Sequence, residues 1–206
     1  MFSTVKSSAL VLSLLGIIFI SGQAMAEEEV PSASADIGIY SKYIWRGYEL
    51  SKDSTVVQPS ATIGYNGFSM NLWGNLDLDQ HPDLGYSNSN EADFNETDLT
   101  IAYDTTISGV DVGAGFIYYG LEGTDTSEIY ASAGFDTILS PCITVYKDID
   151  EFKDLYINLG VSHSFDLSEG MSLDLGASIG YMDSESDEVD DSLNPTGSKY
   201  NALHDG

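Results

Sequence analysis

Basic residues are scarce in this chain: its 206 residues hold seven Lys and Arg against 33 Asp and Glu. That balance excludes nucleic acid as a partner, because the chain repels phosphate. Cysteine is nearly absent. Cys142 stands alone, so no intramolecular disulfide can form and a disulfide-stapled secreted scaffold is excluded. No apolar run of helix-spanning length follows residue 26, so any entry into a bilayer must be made by strands closed into a barrel. There are three histidines. No His and Cys grouping has zinc spacing and no glycine-rich loop opens a helix, so neither a zinc site nor a nucleotide site is indicated. Acidity of this degree can mark disorder. Thirteen Tyr, eight Phe, two Trp and regular apolar runs argue for a folded chain instead.

The N-terminus reads as an export signal spanning residues 1–26. Lys6 supplies the positive region, Ala9 to Ile20 the apolar stretch, and Ala24-Met25-Ala26 a small-x-small cleavage site. Lys6 is the only charged residue in that leader, so the remaining 180 residues carry six basic and 33 acidic groups, a net charge of −27. A periplasmic lead-in over residues 27–35 and a barrel domain over 36–206 are expected to follow.

Nearly every later segment alternates with period two. Leu155, Ile157, Leu159 and Val161 interleave with Tyr156, Asn158, Gly160 and Ser162. Met171, Leu173, Leu175, Ala177 and Ile179 interleave with Ser172, Asp174, Gly176, Ser178 and Gly180. Successive strand residues face opposite sides, so one face is large and apolar and the other small or polar. The spacing predicts strands near 36–47, 55–65, 68–77, 96–106, 110–120, 127–137, 142–148, 155–165 and 171–182, with a tenth from Lys199. Most match the nine to eleven residues of a tilted membrane strand. The connections alternate in length. Short ones fall at Asn66-Gly67, Ile107 to Gly109, Ile138 to Pro141 and Asp166 to Gly170; Asn-Gly between alternating runs is a strong hairpin signal. The others, such as Asp77 to Asn95 and Asp183 to Ser198, are mostly longer and acidic. Outer-membrane barrels sort their turns and loops in this way.

Period two does not say which face is outside. The polar face is rich in Gly and Ser, which suits a narrow lumen. Aromatics gather at strand ends, and Tyr43, Trp45, Tyr65, Phe68, Phe165 and Tyr181 are candidates for interfacial girdles. The predicted fold is therefore all-β: an antiparallel up-and-down transmembrane β-barrel of ten to twelve strands in the full-length protein. Gly206 falls inside the tenth segment, so the end of a strand is expected to be missing at the C-terminus.

The stretch Ser41-Lys42-Tyr43-Ile44-Trp45-Arg46-Gly47 resembles the opening strand of the TorF-like family, porin-type conserved outer-membrane proteins of Gram-negative bacteria whose function is poorly defined. Gln58-Pro59, the Asn66-Gly67-Phe68 hairpin leading to Trp73-Gly74-Asn75, and Ser140-Pro141 before Thr144-Val145-Tyr146 and Asp148 add to the pattern over residues 35–182. The resemblance implies an outer-membrane barrel with a pore.

Tyr40, Lys42, Arg46, Asp98, Asp111, Tyr146, Asp148 and Asp174 are the candidate lumen residues. Asp104, Glu128 and Asp136 also fall on polar faces. They read either as a charged lumen that favours cations or as interior ion pairs that plug a narrow barrel. Arg46 above all requires acceptors, because a buried guanidinium carries five donors. The acidic loop residues Asp77, Asp79, Asp183, Glu185, Asp187, Glu188, Asp190 and Asp191 lack EF-hand spacing and read as solvated. His81, His163 and His204 offer no nucleophile–base geometry; Ser164 and His163 are strand neighbours on opposite faces. The chain is thus not expected to be an enzyme, and no cofactor or metal is expected. The expected partners are outer-membrane lipids and the outer-membrane assembly machinery. The expected function is passive passage of small solutes, with a cation preference. The alternatives are a closed barrel acting as a structural or adhesin-like surface protein, and a soluble periplasmic β-protein with its apolar face inside.

Overall fold

The computed structural model describes residues 30–80, 91–169, 171–184 and 201–205. The segment expected to be an export signal, His81 and the acidic run from Glu185 to Asp191 lie outside the described residues, as does the side chain of His204. No helix occurs among the described residues, and none is long and apolar enough to cross a membrane.

The described residues form twelve strands: β1 (Ser32–Tyr40), β2 (Ile44–Trp45), β3 (Tyr48–Glu49), β4 (Val56–Tyr65), β5 (Phe68–Asp77), β6 (Asp93–Ile107), β7 (Val110–Leu121), β8 (Thr126–Phe135), β9 (Cys142–Asp148), β10 (Leu155–Ser168), β11 (Met171–Asp183) and β12 (Asn201–Asp205). Ten of them make one antiparallel up-and-down sheet in the order β1-β4-β5-β6-β7-β8-β9-β10-β11-β12. Strands β2 and β3 form a separate hairpin. β1 pairs with β4 and β12 with β11, and among the described residues these two edges are not joined. The described sheet is therefore not closed.

Tight turns hold the register. Asn66 and Gly67 have φ of 52° and 80°, and Ser108 and Gly109 have 54° and 81°. Two successive positive φ angles make the primed turn whose twist matches the flanking strands. At Gly67 glycine is required twice over, since a Cβ would also meet the Asp104 carbonyl oxygen at 2.6 Å.

The first predicted strand is corrected by the structure. It does not run over residues 36–47. Ser32 to Ala35, expected to be lead-in, already pair with Gly64 to Ala61, and β1 ends at Tyr40. Small Ala and Ser gave that stretch too little apolar contrast to be read as strand. Beyond it, Arg46 and Gly47 have φ of 48° and 87°, the same turn geometry as Asn66-Gly67. They fold Ile44-Trp45 back on Tyr48-Glu49.

The two faces of the sheet differ in chemistry. Cross-strand pairing puts Ile63, Leu72, Ile101, Phe116, Ile129, Leu159 and Leu175 on one face, and all are exposed. Leu159 is 50% and Leu175 53% exposed, whereas Arg46 and Glu128 are each 3%. The interior holds Gln58, Asn75, Asp77, Glu96, Glu128, Thr144 and Asp148. This inverts the arrangement of a water-soluble β-fold, where apolar residues pack inward.

Candidate functional site

The site is built around the β2–β3 hairpin, whose side chains, with Tyr43 at its base, pack on the inner face of β5 and of β7 to β10. Arg46 sits at its tip. Its Nη1 and Nη2 donate to Glu128 Oε1 and Oε2 of β8, both at 2.7 Å, the bidentate geometry that a guanidinium fork makes with a carboxylate. The Tyr119 hydroxyl of β7 donates to the same Glu128 Oε2 at 2.9 Å. The guanidinium carbon lies 4.5 Å from the Trp45 ring centroid, 4.8 Å from Tyr146 of β9 and 4.3 Å from Tyr156 of β10, within cation–π range of all three. Burial pulls the Arg46 pKa down, but the hydrogen bonds and charge of Glu128 outweigh it and leave the pKa above its ordinary value. The guanidinium stays charged.

Aromatic contacts complete the packing. Trp45 meets Tyr119 edge-on at 6.5 Å, and Tyr146 bridges Tyr130 at 5.4 Å and Tyr156 at 5.9 Å. Tyr43, at the hairpin base, packs on Trp73 of β5 at 5.7 Å. Burial, followed by the nearby carboxylates Glu96 and Asp98, raises the Tyr43 pKa well above the phenol range, so its hydroxyl remains a donor. Neither hairpin strand lies within backbone contact of a sheet strand, and the contacts of Trp45 and Arg46 with the sheet are made by side chains. A φ of 48° at a non-glycine residue costs on the order of 1–3 kcal/mol, and the Glu128 fork and three rings hold Arg46 there.

Other interior groups form separate networks. Gln58 Nε2 donates to Asn75 Oδ1 at 2.9 Å, and Asn75 Nδ2 to Asn95 Oδ1 at 2.8 Å, linking β4, β5 and β6. Asp148 accepts the Thr126 hydroxyl and the backbone N–H groups of Asp150, Phe152 and Lys153, which ties the β9–β10 loop to the sheet. Asp77 accepts the Ser54 hydroxyl and the Asp79 N–H. Asp98 Oδ1 is buried with no hydrogen-bond partner among the described residues.

The predicted lumen residues divide. Arg46 is inside, but on the hairpin and not on a sheet strand. Asp98, Tyr146, Asp148 and Asp174 take inward positions on β6, β9 and β11. Tyr40 shares the face of buried Val56 but is exposed, because β1 is an edge. Asp111 lies inward near the short-turn end and accepts the Thr106 hydroxyl at 2.6 Å. Lys42 is corrected: it stands outside the interior on the connection after β1, paired with Glu49 at 3.2 Å and with Asp53, and both carboxylates raise its pKa.

The girdle residues also divide. Tyr65, Phe68, Phe165 and Tyr181 face outward and are exposed, and Phe68 packs against Tyr103 at 4.7 Å. Tyr43 and Trp45 are corrected. Tyr43 is buried and Trp45 half-buried, both against the inner wall, because the hairpin turns them inward. His163 faces outward against Phe165, while Ser164 and Asp166 take inward positions opposite Asp174 and Ser172. Among the described residues no three His, Cys, Asp or Glu side chains gather as a metal site.

Tyr119, Tyr156 and the selection of Glu128 from several inward carboxylates were missed in the sequence. The one available signal was Arg46-Gly47 between Ile44-Trp45 and Tyr48-Glu49, a residue-Gly turn of the same kind as Ser108-Gly109. No protein-family model, curated protein or solved structure matches this chain.

Proposed function

We propose that this chain forms an outer-membrane β-barrel that passes small solutes, with a cation preference and a constriction at the β2–β3 hairpin. The observation that carries the reading is the inversion of the sheet. The outward side chains of β10 from Leu155 to Phe165 are apolar apart from His163. At about 3.4 Å per residue and a tilt near 40° they cover roughly 26 Å, the height of an outer-membrane apolar band. Water would solvate that face poorly, whereas acyl chains suit it. Exposed Tyr65, Phe68, Phe135 and Phe165 fringe the short-turn end, with Tyr118 and Tyr181 toward the other, as interfacial aromatics do. The N-terminal export signal supplies the route, and the TorF-like resemblance implies the same class.

The cation preference rests on interior charge. Asp77, Glu128 and Asp148 are buried, and Arg46 is the only buried basic residue among the described residues. Carboxylates lining a pore favour cations. Purified protein should partition to the outer membrane, migrate heat-modifiably on gels, and give a reversal potential of cation-selective sign in planar bilayers under a KCl gradient. Insertion without conductance would remove the pore and leave the barrel. Solubility in the periplasm without detergent would remove both.

A second reading is favoured by the hairpin itself: a closed structural or adhesin-like barrel plugged by Arg46. A wild type that conducts nothing, beside an Arg46→Ala variant that conducts, would select it.

A further inference from the structure

The inner wall holds a guanidinium as a receptor holds a ligand. Glu128 presents both oxygens to the fork, Tyr119 fixes that carboxylate, and Tyr146 and Tyr156 supply two ring faces within 5 Å. These four residues belong to four consecutive strands, β7 to β10. The ligand comes from a hairpin whose strands make no backbone contact with the sheet strands, at a residue in a strained left-handed backbone conformation. Planar shape, bidentate donors and ring stacking together select guanidinium over a compact ammonium.

We infer that this interior cage is a binding site for soluble guanidino compounds, which Arg46 occupies as a tethered internal ligand. The inference rests on the reading that solutes reach the barrel interior, and it names the class of solute recognised there. A free guanidino solute competes with Arg46 for Glu128 and unseats the hairpin. Because Arg46 is tethered, it acts at an effective concentration in the millimolar range. Removing its side chain frees the cage.

Trp45 stacks on the guanidinium and reports on occupancy. The test uses the refolded full chain in detergent and in bilayers, with methylguanidinium as probe and methylammonium as control. In Arg46→Ala, methylguanidinium should bind saturably by tryptophan fluorescence, at least about tenfold more tightly than methylammonium and than in the wild type. Adding Glu128→Gln should abolish that binding. If Arg46→Ala refolds poorly, methylguanidinium and not methylammonium should restore the yield. A folded Arg46→Ala protein that shows no saturable change overturns the inference, as does a refolding defect that both cations or neither correct. Conductance is recorded separately: a barrel that binds methylguanidinium but never conducts retains the cage and loses the solute path.

Discussion

The two halves of the interior are lined differently along the same strands. Toward the long loops the inward positions carry Tyr119, Glu128, Tyr146, Tyr156 and Met182, all buried. Toward the tight turns the same strands carry Gly113, Ser132, Cys142, Ser162 and Gly176. The difference tracks the hairpin. Where it enters, large side chains close on it; where it does not reach, small ones line the wall. At the long-loop end of the described sheet the space along the inner face is taken up by the hairpin.

The largest effect is expected at the Arg46–Glu128 pair. Glu128→Ala strips the buried guanidinium of its partner, and losing one member of a buried pair costs about 3–5 kcal/mol. Urea unfolding of the refolded protein should record that loss. A loss under about 1 kcal/mol, the range of exposed pairs, would mean that the hairpin end is open to water. The next effect tests the outer face that both halves share. Leu159→Arg should cost about 2–4 kcal/mol if that position meets the bilayer midplane. A change within about 0.5 kcal/mol, normal for a watery surface, would sink the membrane assignment.

A smaller effect sharpens the link between the halves. At Gly180 a Cβ would lie 2.4 Å from the Tyr156 hydroxyl and 2.7 Å from its ring. Gly180→Ala should displace the ring stacked on Arg46, at the roughly 1–3 kcal/mol of an overpacked core. The same change should shift the Trp45 emission. Smallest of all is Lys42→Ala outside the interior. Its partners, Glu49 of β3 and Asp53 of the connection from β3 to β4, are both exposed, and unfolding midpoints should not move measurably.

How far the sequence reached can be judged residue by residue. The strand from 155 onward was legible because Leu155, Ile157, Leu159 and Val161 alternate with small or polar neighbours, and the Asn66-Gly67 turn because few residues tolerate two positive φ angles. The start of β1 was not legible, since Ser32 to Ala35 offer little contrast. The hairpin was misread because Tyr43 and Trp45 also alternate, and period two cannot separate a strand from a short hairpin lying against a wall.

Local chemistry was enough for the all-β class, the sheet strands from β4 to β11 and the tight turns. Those features depend on side-chain alternation and backbone preferences that act between near neighbours in the chain. Tertiary structure alone decided that Arg46 meets Glu128, 82 residues away, and that Tyr43 and Trp45 turn inward. Several inward carboxylates were chemically equivalent acceptors. Only the curvature of the sheet around the hairpin chose among them, because an ion pair requires contact in space and sequence spacing does not report it.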